Sequence, residues 1–212
     1  MTPTKPQPGA SQPQVGLYGP GFANAMFDAQ VTFRAVMTAM AEPATIQTAK
    51  TSVGQCPGFS PAMSALALTL ADFETRVWLD SGVKSEAAAY VRFQTGAPIV
   101  SAPVEATFAF VTRPREMPRF SSFAQGSLDY PDTSTTVIIE VENLDANSGF
   151  RLRGPGIPGE RRLLADPLPQ TFLADFVANR AAFPCGIDIV LCCGTRIAAL
   201  PRSTHLALAD RG

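Results

Sequence analysis

The sequence holds one histidine and three lysines in 212 residues. Any serine, cysteine or metal mechanism that needs an imidazole therefore depends on His205 alone, close to the C-terminus. No G-x-S-x-G elbow, no paired metal ligands and no G-K-[ST] loop occur, which excludes the commonest sequence-visible hydrolases and nucleotidases and predicts no bound metal. A pyridoxal-phosphate enzyme needs a lysine as Schiff base in a pocket. Lys5 lies in a Pro- and Gln-rich tail, and Lys50 and Lys84 stand in ordinary loop settings, so no cofactor of that kind is expected. The four cysteines, Cys56, Cys185, Cys192 and Cys193, include no C-x-x-C pair and read as reduced, buried thiols. Cys192 and Cys193 are adjacent on a predicted strand, which points them to opposite faces. No apolar run approaches the ~20 residues needed to cross a bilayer, and no signal segment opens the chain, so the expected location is the cytoplasm, away from membranes. Charged residues are scarce, at 17%, and nearly balanced, at a net charge of -1. With no basic block to meet a phosphate backbone, nucleic acid is not an expected partner.

What is present is a large apolar fraction, 46%, enough for one domain with a real core. Residues 1–21, rich in Pro, Gln, Gly, Ser and Thr, read as a loose arm; residues 22–212 read as the domain. Asn24 caps a predicted helix whose apolar positions, Met26, Ala29, Phe33, Val36, Met37 and Met40, recur at helical spacing until Pro43 ends it. Ser60-Pro61 opens a second helix, residues 76–80 form a strand, and 85–94 an alanine-rich helix before Gly96. Residues 104–111 read as a strand, 113–132 as short helical turns, 171–183 as a helix, and 187–193 with 196–200 as a hairpin about Gly194. The expected fold class is α/β, a mixed sheet flanked by helices.

The stretch at 130–157, YPDTSTTVIIEVENLDANSGFRLRGPGI, carries the candidate site. Its β-branched run at 135–141 predicts a strand, with 143–149 as a hairpin loop and 150–153 as the returning strand. Arg151 and Arg153 alternate with Phe150 and Leu152, so both guanidiniums face one side. They either grip a phosphate or phosphonate, or pair with Glu140 and Glu142 on the neighbouring strand. Gly154 and Gly156 leave backbone amides bare, which suits a ligand cradle or a docking surface. GPGIPG formally fits G-x-G-x-x-G, but Pro155 and Pro158 remove amide donors and no helical pattern follows, so it reads as a structural turn. No residue stands out as catalytic.

Five stretches in order, FDAQVTFRAVMTAMAEP (27–43), YPDTSTT (130–136), LRGPGI (152–157), NRAAFPCGID (179–188) and ALPRST (199–204), resemble the PhnH family, the H subunit of the bacterial carbon-phosphorus lyase core complex. Ala44 stands where the resemblance leads one to expect glycine, and Ser203 where threonine is usual. The resemblance implies a fold like that of pyridoxal-phosphate-dependent transferases without the cofactor, a homodimer, and contacts with other core subunits (G, I and J). It also implies work in phosphonate catabolism: G, H, I and L subunits join an alkylphosphonate to the ribose of ATP, forming ribose 1-alkylphosphonate 5-triphosphate, before an iron-sulfur lyase subunit breaks the carbon-phosphorus bond. The H subunit brings no catalytic residue to that reaction. The alternatives are an independent small-molecule transferase or an oligomeric scaffold outside phosphonate metabolism.

Overall fold

A computed structural model describes residues 20–49, 54, 56–83 and 85–208. Lys5, Lys50, Lys84 and nearly all of the predicted arm lie outside the described residues. Helix α1 (Ala25–Ala41) begins where the Asn24 side chain accepts from the Phe27 amide at 3.2 Å, while Asp28 accepts from the Asn24 amide at 3.0 Å. This reciprocal capping satisfies two of the helix's orphan donors. The orientation of α1 differs from the expected one. Met26, Phe33 and Met37 face water, whereas Asp28, Thr32, Val36 and Ala39 are buried. Inward polarity is tolerated because it serves the helix itself: Asp28 caps it, and Thr32 Oγ1 donates to the Asp28 carbonyl at 2.9 Å.

Strand β1 (Gln47–Thr48) is followed by α2 (Pro61–Leu70), where Ser60 caps the Met63 amide and proline occupies the first turn. Ala62 to Ala67 are buried without interruption, the mark of a helix covered on all sides. Next come β2 (Val77–Leu79), α3 (Ser85–Thr95), β3 (Ile99–Val100) and β4 (Phe108–Val111). The strand expected from residue 104 starts late because Pro103 initiates a 3-10 turn, Pro103–Glu105. Three further 3-10 turns fill 114–133, as the proline spacing predicts. The remainder is β5 (Thr136–Glu140), β6 (Asn143–Arg153), β7 (Arg161–Asp166), α4 (Phe172–Ala181), β8 (Asp188–Cys193), β9 (Arg196–Leu200) and β10 (His205–Ala207).

These strands make a mixed seven-stranded sheet, order β1-β9-β8-β5-β4-β2-β3, and a three-stranded antiparallel sheet, order β10-β6-β7. β3, β2, β4, β5 and β8 run parallel, and β9 turns back against β8. Successive residues feed opposite cores: Val137, Ile139, Ile189 and Leu191 pack under α4 and the small sheet, and Ile138, Val190 and Cys192 pack under α1 to α3. Cys193 packs opposite Cys192, as the adjacent positions on a strand require.

The expected hairpin between 135–141 and 150–153 is not formed. β5 lies between β4 and β8, parallel to both, and its Val137, Ile138 and Ile139 are fully buried. A strand apolar on both faces belongs at the centre of a parallel sheet, which is what the run Val-Ile-Ile encodes. The polar stretch expected as a loop is part of β6, whose register against β7 shifts between Asp145 and Phe150. Within that bulge Asp145 accepts from Asn147 and Ser148, and Gly149 takes φ 85° where a Cβ would come within 2.4 Å of the Leu163 carbonyl. The bulge residues look like a turn in sequence because they use the same side-chain chemistry. β6 pairs instead with β7, RRLLAD, on one side and β10 on the other.

Candidate functional site

β10 pairs with β6 so that His205 lies opposite Arg153 and Ala207 opposite Arg151. Leu152 and Leu206 point into the core, so Arg151, Arg153 and His205 share the outer face, as the alternation predicts for the two arginines. With Glu160 and Ala207 they line an open depression of about 280 Å³. The expected pairing of these arginines with Glu140 and Glu142 is overturned. Arg153 Nη2 meets Glu160 Oε2 at 3.0 Å, and Arg151 Nε donates to the Leu208 carbonyl at 3.2 Å. Glu140 is in the other sheet, accepting from the Ser60 amide at 3.3 Å. His205 Nε2 is 3.3 Å from Arg180 Nη2, and a guanidinium only donates, so Nε2 is the acceptor in this contact. A carboxylate orienting the ring, as in a catalytic triad, is not among these contacts. The face offers charge-assisted hydrogen bonds to an anionic group, with Arg153 already held by Glu160.

The turn from β6 to β7 carries Gly154 and Gly156. The Ile157 amide donates to the Gly154 carbonyl at 3.1 Å, and Gly156 has φ 77°. A Cβ at Gly156 would fall 1.9 Å from the Ala41 carbonyl, so the turn is seated on the C-terminal end of α1. Arg161 Nη1 fastens it, donating to the Pro43 carbonyl at 3.0 Å and the Gly156 carbonyl at 3.4 Å. GPGIPG is thus a hairpin connection, and β7 follows it where a nucleotide-binding loop needs a helix. Next to Pro43, Ala44 has φ 66°, the one positive φ of a non-glycine among the described residues. That conformation explains why glycine suits the position, while the buried alanine methyl offsets part of the strain.

A second constellation, not foreseen as a site, centres on Arg202. Its amide donates to Asp188 Oδ1 at 2.8 Å, its Nε lies 3.2 Å from both Asp188 oxygens, and its Nη2 binds Asp188 and the Ser134 hydroxyl. Nη1 donates to the carbonyls of Pro131 at 2.9 Å and Pro184 at 3.2 Å. Nearby, the Asn179 amide group bridges Ile187, accepting from its N–H at 2.8 Å and donating to its carbonyl at 2.9 Å, and Arg180 Nε donates to the Ser203 carbonyl at 3.1 Å. The side chains of Arg202 and Asp188 are only 13% and 17% exposed. One guanidinium therefore ties together three of the sequence stretches quoted above, those at 130–136, 179–188 and 199–204. Their co-occurrence was the available signal, since no one of them announces the contact alone.

The model of the family described as "Bacterial phosphonate metabolism protein (PhnH)" matches residues 20–207. The chain belongs to the PhnH family. It is 39% identical over 194 residues to a protein of Rhizobium meliloti (strain 1021) named alpha-D-ribose 1-methylphosphonate 5-triphosphate synthase subunit PhnH, covering 91% of this chain and 97% of that one. It is also 35% identical over 83 residues, 39% of this chain and 43% of the relative, to the putative C-P lyase subunit protein HtxG of Stutzerimonas stutzeri.

In this PhnH-family chain the carboxyl ends of β2 and β4, on the usual ligand edge of an open α/β sheet, are occupied by internal bonds. Asp80 accepts from the amides of Thr112 at 2.9 Å and Arg113 at 2.8 Å and from the Thr112 hydroxyl, while Arg113 Nη2 donates to the Ser81 carbonyl. Among the described residues no group of three His, Cys, Asp or Glu is placed to hold a metal ion, and no helix is long and apolar enough to cross a membrane. Burial pushes the Cys56 thiol up to about 12 and the Cys192 thiol well above its ordinary value, which leaves both unreactive.

Glu140, at the end of β5, is raised from 4.5 to about 6 by burial, against the opposing hydrogen bonds from Ser60. The folded state holds this proton more tightly than the unfolded chain. The associated stability is complete below about pH 4.5 and is lost as pH rises through about 6. Glu140→Gln is expected to flatten the stability profile in that window and to gain about 2 kcal/mol at pH 7 and above. Urea unfolding of both proteins at pH 4.5, 6 and 7.5 checks this; a parallel pH dependence in the two would place the titration elsewhere.

Proposed function

We propose that this chain is a non-catalytic subunit of the carbon-phosphorus lyase core complex, required for making ribose 1-alkylphosphonate 5-triphosphate from ATP and an alkylphosphonate. It works as a homodimer in contact with the G, I and J subunits, in the cytoplasm, on a sheet of the pyridoxal-phosphate-dependent transferase type that carries no cofactor. The observation that carries the reading is the Arg202 clasp: polar groups of three of the family stretches engage one another inside the fold instead of converging on an open pocket. The names of the relatives, both subunits, support the same assignment. The outer arginine face and the turn at Gly154 and Gly156 serve as contact or anion-binding surface, with Arg151 and Arg153 as the charged hydrogen-bond donors.

Purified alone with ATP and methylphosphonate, the chain is expected to release no adenine above the protein-free rate. Mixed with the other core subunits, it is expected to restore adenine release that is absent when it is omitted. Turnover by the isolated chain would instead establish an independent transferase. Full activity of the other subunits without it would leave only a scaffold role elsewhere.

A further inference from the structure

Helix α1 presents an apolar stripe to water. Met26 is 85% exposed, Phe33 49% and Met37 53%, and with Gln30 they lie at steps of four, three and four residues, the spacing of a helix-pairing seam. Of the 17 residues in α1 only Asp28 and Arg34 are charged, and Asp28 is buried, so the outward face has a single charge. An ordinary surface helix turns a charged face to solvent; this one turns out a largely apolar face. The three apolar side chains leave on the order of 400 Å² of surface in water, within the range of patches that mark contact sites. That is about half of the ~800 Å² each partner gives to a standard interface, and Gln30, Arg34 and Ala41 beside the stripe add to it.

The order of the stripe identifies its occupant. Read in either direction it runs methionine, one inner residue, another inner residue, methionine, so a two-fold axis between Gln30 and Phe33 sets Met26 against Met37 of a second copy and Gln30 against its Phe33. Under that axis Arg34 falls opposite Ala29, and the two Arg34 side chains are displaced from each other by about 7 Å along the helices, so no like charges meet. A face with one charge offers little to a strongly charged partner and much to its own copy. We infer that α1 pairs antiparallel with α1 of a second copy of this chain, Met26 against Met37 and Gln30 against Phe33, and that this seam is the homodimer interface. The inference rests on the homodimer reading above and adds its location and register.

The test uses sedimentation of the full-length chain and two variants, Met26→Glu and Met37→Lys, whose exposed positions leave the core intact. The wild-type chain is expected to be dimeric, and each variant to dissociate with a Kd raised about 100-fold or more while its thermal unfolding stays near that of the wild type. An equimolar mixture of the two variants is expected to recover dimers, because Met26→Glu in one copy then faces Met37→Lys in the other across one half of the seam and the native methionines meet across the other. A monomeric wild-type chain would overturn both the pairing and the homodimer reading. A dimeric wild type with dimeric variants would overturn the pairing alone. Monomeric variants whose mixture stays monomeric would overturn the antiparallel register. Variants that remain dimeric but lose binding to the G, I or J subunits would assign the stripe to a different subunit and overturn the inference.

Discussion

Cutting Arg202 back to alanine is expected to cost this fold about 3–5 kcal/mol, because it leaves Asp188 as a largely buried carboxylate without its counter-ion. The loss extends beyond charge. The same guanidinium satisfies the carbonyls of Pro131 and Pro184 and the Ser134 hydroxyl, groups from two segments far apart in sequence. Arg202→Lys keeps the charge but has a point-like ammonium in place of a five-donor fork, so it holds Asp188 and releases the carbonyls. An intermediate stability is expected for it. Urea titrations of the three proteins at one pH measure the order. If the lysine variant matched the wild type, the carbonyl contacts would contribute nothing and the clasp would reduce to a single ion pair.

Gly156→Ala is expected to cost about 2–5 kcal/mol, from a left-handed φ worth ~1–2 kcal/mol and a backbone displacement worth ~1–3 kcal/mol. The added Cβ would fall 1.9 Å from the Ala41 carbonyl and 3.0 Å from Pro43 Cδ, so the turn would have to lift off the end of α1. Gly159, on the same turn, separates the two causes. It has φ 73°, close to that of Gly156, but nothing lies within 4 Å of its would-be Cβ. Gly159→Ala is therefore expected to cost only about 1 kcal/mol. Equal destabilisation by the two substitutions would refute the docking of the turn on α1. The same contact makes Gly156→Asp a poor probe of assembly, since it would disturb folding first. A charge at exposed Pro155 tests the surface without that contact.

Much of the chain was legible locally. Asn24 and Ser60-Pro61 mark helix starts because capping is a contact between a residue and the amide three positions on. The β8–β9 hairpin about Gly194, the 3-10 turns of the proline-rich stretch, the opposite facing of Cys192 and Cys193, and the shared face of Arg151 and Arg153 are likewise set by neighbours in sequence. The family stretches, read together, gave the family itself.

What the sequence could not decide was which elements meet. The run at 136–140 is equally apolar whether it pairs with its successor or lies between β4 and β8, and only the burial of both its faces makes the second arrangement right. Glu140 and Arg151 look like cross-strand partners at short separation, yet β5 and β6 belong to different sheets and do not pair. The periodicity of α1 correctly announced a helix, but periodicity does not say which stripe faces inward; the self-capping of Asp28 and Thr32 allowed the polar side in and left the methionines out. Asp188 and Arg202 flank the Ile189–Leu200 end of the β8–β9 hairpin, so their pairing follows from its register. What only the tertiary structure decided is that the same guanidinium also reaches Pro131 and Ser134, about 70 residues away in sequence, where no local pattern can place them.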